Sequence, residues 1–74
     1  MKNIEDKTVL FELAKRIKAL RKQKRLTQAE CYNDTGINFG RIERGIRDIS
    51  FTTLLKLCAY FEIPAKDFFD GYFE

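Results

Sequence analysis

Residues 26–45 have the sequence LTQAECYNDTGINFGRIERG, which contains several signals for where helices begin and end. Thr27 followed three residues later by Glu30 forms a capping box, which predicts a helix that begins just after Thr27. Gly36 is predicted to end that helix, because glycine adopts the left-handed conformation at a helix C-terminus without a Cβ penalty. Asn38 is a favourable N-cap and predicts a second helix directly after the turn. The stretch therefore predicts two short helices joined by a tight, glycine-containing turn.

The second predicted helix has an apolar side and a basic side. Phe39 and Ile42 are three residues apart, so they should share one face and pack into the core. Arg41 and Arg44 then project to the opposite side. A short helix, a turn and a second helix that exposes arginines form a helix-turn-helix unit, whose second helix enters the major groove of DNA.

Four short motifs follow one another along the chain: LTQ at 26–28, GIN at 36–38, RIERG at 41–45 and SFTTLLKLC at 50–58. Together they resemble the lambda-repressor-like, or XRE-type, helix-turn-helix regulators over roughly residues 17–69. This resemblance implies a compact all-α domain of five helices, with the helix-turn-helix at helices 2 and 3. It also implies a regulator of transcription that binds double-stranded DNA.

The chain departs from the usual family spacing, because it is three residues shorter between the Thr-Gln pair and the RIERG motif. One alignment keeps the turn at 36–38 and shortens the recognition helix by nearly one turn. The other keeps the helix length, starts it near residues 34–35 and tightens the turn. We favour the first, because the second places Gly36 as well as Gly40 inside the helix, and each glycine costs about 1 kcal/mol relative to alanine. Tyr32 stands where the family usually has a small residue between the two helices, and its bulk fits a changed geometry.

Positive charge is concentrated in one part of the chain. Residues 15–47 contain ten basic and three acidic side chains, a net +7, whereas the whole chain carries +3 and the remainder therefore −4. This asymmetry is typical of a protein with one face for a polyanion. The ten basic residues are Lys15, Arg16, Lys18, Arg21, Lys22, Lys24, Arg25, Arg41, Arg44 and Arg47.

The predicted DNA contacts fall into two groups. The expected base contacts are Asn38, Arg41 and Arg44, because arginine pairs bidentately with guanine and asparagine with adenine. The expected phosphate contacts are basic or lie at the start of the first helix of the motif, where backbone N–H groups favour anions. They are Lys22, Lys24, Arg25, Thr27, Gln28 and Arg47. The family resemblance supports these roles for Gln28 and Arg41.

Glu43 is an acidic residue on a helix that should face DNA, so we expect it to point inward. In the family that this sequence resembles, the glutamate of this motif pairs with an arginine on helix 1. The matching position here is Arg21. The resemblance thus implies a structural ion pair between Arg21 and Glu43.

The remaining sequence predicts three more helices in a single domain that spans residues 1–74, with residues 1–7 frayed. Apolar residues at offsets of three and four predict a first helix from about Thr8 to Lys24. Ser50 is a natural N-cap for a helix over 51–61, whose apolar side Leu55 is expected to widen. Pro64 suits the start of a last helix over 65–69.

The segment 68–74 places four aromatic residues within seven positions. A core of this size can absorb two of them, and an exposed apolar patch usually marks an interface. We expect a homodimer contact through Phe69, Tyr72 or Phe73. The alternative is that these side chains cover the domain's own first helix.

Several other functions are disfavoured by composition. The chain has no histidine, and its sequence shows no paired-carboxylate pocket and no glycine-rich phosphate loop, so we expect no enzyme activity. Cys31 and Cys58 have no metal-ligand spacing and are expected to be buried thiols, with no metal and no cofactor. The sequence has no apolar stretch of 18 residues, so we expect a cytoplasmic protein without a membrane span. An antitoxin that binds a toxin protein as well as its own promoter is the main alternative, and a restriction–modification controller is another.

Overall fold

The computed structural model describes residues 5–73, and within that range the chain forms five helices and no strand. The helices are α1 (Asp6–Gln23), α2 (Gln28–Thr35), α3 (Phe39–Glu43), α4 (Phe51–Tyr60) and α5 (Ala65–Phe68). The predicted all-α fold with five helices is confirmed. α1 begins two residues earlier than predicted, and α1, α4 and α5 each end one residue earlier. The expectation of frayed residues 1–7 is wrong for Asp6 and Lys7, which lie in α1. The rest of it falls largely on residues 1–4, which lie outside the described range, as does Glu74.

Side-chain caps fix where the helices begin. In α2, the Thr27 hydroxyl accepts a hydrogen bond from the Glu30 N–H at 3.0 Å, and the Thr27 N–H donates to the Glu30 carboxylate at 2.9 Å. The Ser50 hydroxyl accepts from the Thr53 N–H at the start of α4, at 3.1 Å. Caps of this kind each stabilise a helix by about 1 kcal/mol. The predicted capping box and the predicted Ser50 cap are therefore both present.

The core brings all five helices together. Its buried members are Leu13, Ala14, Ile17, Leu20, Cys31, Phe39, Ile42, Leu57, Cys58, Phe61 and Phe68. Phe39 lies at its centre, with edge-to-face contacts to Phe61 at 5.9 Å and to Tyr60 at 6.4 Å between ring centroids. Burial raises the pKa of the Cys31 and Cys58 thiols, as predicted for thiols that pack as small hydrophobic groups. Because α3 contributes Phe39 to this core, its orientation is fixed by packing against α1 and α4.

One side chain of α4 differs from the sequence-based expectation. Leu55 was expected to widen the apolar side of α4, but it is 44% exposed. The reason is that Leu57, Cys58 and Phe61 already fill the inner side of this helix. Tyr32, whose bulk was expected to fit a changed geometry, is 50% exposed and lines a hollow between α2 and α3.

Membrane insertion has no support from the helices. Within residues 5–73, none is long and apolar enough to cross a bilayer.

Candidate nucleic-acid interface

The turn between α2 and α3 has the conformation that the sequence predicts. Gly36 has φ +74° and its N–H donates to the Tyr32 carbonyl at 2.7 Å. The Thr35 hydroxyl donates to the Cys31 carbonyl at 2.7 Å and accepts from the Ile37 N–H at 3.0 Å. With Gly36 outside both helices, the alignment that keeps the turn and shortens the recognition helix is confirmed.

The short helix α3 separates its apolar and basic residues. Phe39 and Ile42 are buried, whereas Arg41 is exposed on the opposite side. Arg44 directly follows α3 and is exposed, as is Arg47 three residues later. Arg41, Arg44 and Arg47 line one shallow hollow, so the fold brings three predicted DNA contacts together.

Glu43 is turned inward and paired with Arg21. Two parallel hydrogen bonds join them, from Arg21 Nε to Glu43 Oε2 and from Arg21 Nη2 to Glu43 Oε1, each at 2.8 Å. The two side chains are only 11% and 5% exposed, and the hydrogen bond to Glu43 raises the pKa of Arg21. Arg21 Nη1 also donates to the Leu26 carbonyl at 2.9 Å. One guanidinium group thereby links α1, the segment before α2, and α3, and it neutralises the acid on the recognition helix.

Gln28 lies at the start of α2 and packs against α3. Its Nε2 donates to Glu43 Oε1 at 3.1 Å. Its Oε1 lies 3.3 Å from the position that a Cβ atom on Gly40 would occupy. A larger residue at position 40 would therefore displace the Gln28 amide. The Gln28 amide was predicted to contact a phosphate, and in this structure it already donates a hydrogen bond to Glu43.

The polar side chains of Asn38 and Thr27 both act as helix caps. The Asn38 Oδ1 accepts from the Arg41 N–H at 3.0 Å. The second lone pair of this oxygen and the NH2 group remain available to another partner. The Thr27 hydroxyl accepts from Glu30, and its own hydrogen remains available to a phosphate oxygen.

The other predicted phosphate contacts lie where α1 meets α2. Lys22, Lys24 and Arg25 are all exposed in this segment. Arg25 has φ +58°, a left-handed conformation that few non-glycine residues adopt. The segment places three cations directly before the Thr27 cap.

Arg16 has a role that sequence reasoning missed. Its Nε and Nη2 donate to the carbonyls of Phe68 and Asp67, both at 2.8 Å. The guanidinium group lies 4.8 Å from the ring centroid of Tyr72 and 5.8 Å from that of Phe68. Arg16 therefore binds the end of α5 and the following tail, although it was counted among the basic residues of the DNA-facing segment. No local sequence pattern could reveal this contact, because Arg16 lies 51 and 52 positions away from the two residues that it binds.

The aromatic residues predicted as a dimer contact are in different environments. Tyr72 is half-buried beside Arg16, and Phe73 stacks on Phe68 with centroids 6.1 Å apart. Tyr72 thus packs against α1, as in the alternative stated above, whereas Phe73 packs against Phe68 of α5. Phe69 is 43% exposed and remains accessible.

A second missed contact joins α2 to α4. The Tyr60 hydroxyl donates to Asp34 Oδ2 at 2.7 Å, and this hydrogen bond raises the pKa of Tyr60. The buried Cys31 thiol lies 3.9 Å from the same hydroxyl. The Asp34 carboxylate, near the C-terminal end of α2, therefore accepts a hydrogen bond from within the domain.

The comparison with solved structures gives an informative likeness. No family model matches the sequence, and a search of curated proteins finds no similar sequence. Among solved structures, the chain is similar to a crystal structure of an HTH_3 family transcriptional regulator from Vibrio cholerae, with 29% sequence identity and a TM-score of 0.78. The match covers 89% of this chain but only 39% of that regulator, so the chain spans well under half of the other protein's length. The resemblance to lambda-repressor-like, XRE-type regulators is therefore confirmed, and the chain has the fold of a helix-turn-helix domain of that kind.

Proposed function

We propose that this domain binds double-stranded DNA in a sequence-specific manner and regulates transcription in the cytoplasm. The observation that carries the proposal is the arrangement of α3. Its apolar side is buried and its one acid is paired with Arg21, while Arg41, Arg44 and Arg47 are exposed around one hollow. An exposed helix with arginines suits the major groove, where guanine presents two acceptors to a guanidinium group. The structural likeness to a transcriptional regulator supports the same function.

Selection of bound sequences from random DNA tests this proposal. We expect wild-type protein to enrich a defined sequence that contains guanine at the position contacted by Arg41. Binding should weaken steeply as salt rises, because each neutralised phosphate releases counterions. The proposal is wrong if the folded protein enriches no sequence and binds random duplexes only at very low salt.

We further propose that the DNA-bound form is a homodimer on a palindromic site. Three exposed apolar side chains support a dimer surface: Val9 on α1, Phe51 on α4 and Phe69 after α5 line the same groove. Phe51 is 71% exposed, and Leu55, four residues later on α4, continues the apolar surface. This groove replaces Tyr72 as the preferred contact, because Tyr72 packs against Arg16, whereas Phe73 lines the groove together with Phe69.

Sedimentation with and without the selected DNA tests the dimer. A palindrome with half-sites about 34 Å apart, or a multiple of that distance, is expected. Phe51→Glu should weaken both self-association and binding to the full palindrome. Tyr72→Ala is the matched control and should leave self-association unchanged. A wild-type complex of one protein with a non-symmetric site would contradict the dimer.

An antitoxin is the second candidate, and the same groove favours it. An exposed apolar groove beside an acidic, aromatic tail suits a protein partner as well as a second copy of this chain. A toxin gene next to the gene for this protein, with a complex formed between the two products, would support the antitoxin. DNA binding to the shared promoter would then be one of two activities of the chain.

A further inference from the structure

A hollow between α2 and α3 opens beside the recognition helix. Gln28 and Tyr32 form its wall on α2, and Asn38 and Gly40 form its wall at the start of α3. Gly40 contributes no side chain, and the Asn38 oxygen is held in its cap. The start of α3 therefore presents little side-chain surface where this hollow opens.

Tyr32 is the largest side chain at the rim of this hollow. It is 50% exposed, and within residues 5–73 neither its hydroxyl nor its ring has a hydrogen-bonding or stacking partner. The other two tyrosines are different: Tyr60 donates to Asp34, and Tyr72 lies against Arg16. An exposed phenol without a partner, next to the proposed DNA-binding helix, is available to a ligand.

The length of α3 explains why an additional contact is needed. Five residues at 1.5 Å each give a helix of roughly 7.5 Å, which is less than two turns and therefore presents few side chains to base edges. Arg41 and Arg44 lie at the later part of α3 and just beyond it. The DNA surface that faces the start of α3 would then meet the hollow and Tyr32.

We propose that Tyr32 is a specificity-determining DNA contact, which supplies the surface that the shortened recognition helix lacks. Its ring packs against the apolar part of a base edge, such as a thymine methyl group, and its hydroxyl donates to an acceptor on the DNA. This inference rests on the proposed DNA-binding function. It adds a residue from the first helix of the motif to those that determine the sequence bound.

The test compares wild-type protein with Tyr32→Ala and Tyr32→Phe, using sequences selected by the wild-type protein. We expect Tyr32→Ala to weaken binding to the selected sequence about tenfold, equivalent to about 1.4 kcal/mol, and to relax preference at a base other than the one affected by Arg41→Ala. Tyr32→Phe should retain that base preference and lose only the part due to the hydroxyl. Replacing thymine by deoxyuridine at the affected position should weaken wild-type binding but not that of Tyr32→Ala.

Photo-crosslinking provides a second measurement that keeps an aromatic ring at the site. Tyr32→p-benzoylphenylalanine should crosslink to the selected DNA, whereas the same substitution at Lys66, which is exposed on α5, should not. The inference is overturned if Tyr32→Ala binds the selected sequence with unchanged affinity and preference, or if position 32 gives no crosslink. If wild-type protein selects no sequence at all, the proposed function fails and this inference fails with it.

Discussion

Five of the six arginines described above form two groups with opposite uses. Arg16 and Arg21, both on α1, are bound within the domain, one to carbonyl groups and aromatic rings and the other to Glu43. Arg41, Arg44 and Arg47 are exposed around one hollow. All five were counted in the same basic segment of the sequence. A net charge of +7 in this segment therefore overstates the positive charge available to DNA, because part of it is bound within the domain.

The difference follows from where each arginine lies. α1 packs against α3 and also lies beside α5, so a long cation on α1 can reach both. A guanidinium group suits these positions, since its planar set of donors can satisfy two acceptors at once. Arg41, Arg44 and Arg47 are exposed to solvent, because the opposite side of α3 packs into the core. The four predictions below test whether the first group supports the stability of the domain and the second group supports DNA binding.

The largest expected effect is on stability, at the pair Arg21–Glu43. Glu43→Gln leaves the mostly buried Arg21 charge without its carboxylate, and loss of one partner of a buried pair costs about 3–5 kcal/mol. For a domain of this size that is a large part of the free energy of unfolding. We expect a clearly lower melting temperature, with DNA binding lost mainly through unfolding.

The double variant Arg21→Met with Glu43→Leu is the control for that prediction. An apolar pair can replace a buried ion pair, so much of the stability should return. If Glu43→Gln instead leaves the melting temperature unchanged and tightens DNA binding, Glu43 faces the DNA in solution. Thermal melts measured beside binding curves distinguish the two results.

Arg41→Ala should affect DNA binding and not stability. Loss of a bidentate base contact costs about 1–3 kcal/mol and relaxes preference at one base position. The melting temperature should stay near that of the wild type, because the Arg41 side chain is exposed. Competition between selected and random DNA measures this. If Arg41→Ala lowers the affinity for selected and for random DNA equally, Arg41 contacts only a phosphate.

Arg16→Ala should have the opposite profile, with a loss of stability of about 1–2 kcal/mol. Two hydrogen bonds from a charged donor and the contact with Tyr72 would be lost, but the site is partly exposed. Urea denaturation measures the loss. Arg16→Lys is the matched control: it keeps the charge but should recover little, because lysine cannot donate to both carbonyls in the same geometry. Weaker DNA binding by a fully folded Arg16→Ala would place Arg16 in the exposed group.

The smallest effects are expected at the peripheral cations Lys22 and Arg47. Lys22→Ala and Arg47→Ala should each weaken binding to all sequences alike and reduce the salt dependence by about one unit. Titrations at several salt concentrations measure this slope. A change in sequence preference would show that the residue contacts a base instead.

The parts of the structure that could be predicted from the sequence are those set by local signals. Thr27, Gly36, Asn38 and Ser50 each act through residues at most four positions away, and each has the predicted role in a helix cap or turn. The inward position of Glu43 followed from the unfavourable placement of an acid near phosphate, and its partner from the family resemblance.

The contacts that could not be predicted depend on long-range packing. Arg16 binds carbonyl groups, which every residue has, so no residue type in the tail marks its partners. The three-residue shortening alone left open where the Tyr32 side chain lies, and the structure places it at the hollow between α2 and α3. The same limit applies to Tyr60 and Asp34, whose hydrogen bond requires α4 to lie across the end of α2.

The contacts of Arg16 also have a consequence for the order of folding. They join residues 51 and 52 positions apart, so they close a far longer loop than the contacts between α2 and α3. Closing a long loop costs more chain entropy, and such contacts tend to form after local ones. During synthesis, the helix-turn-helix can assemble on α1 while residues 67 and 68 are still to be made. Amide hydrogen exchange in the native protein should accordingly be faster in α5 than in the middle of α1, since the last segment to dock is the first to open.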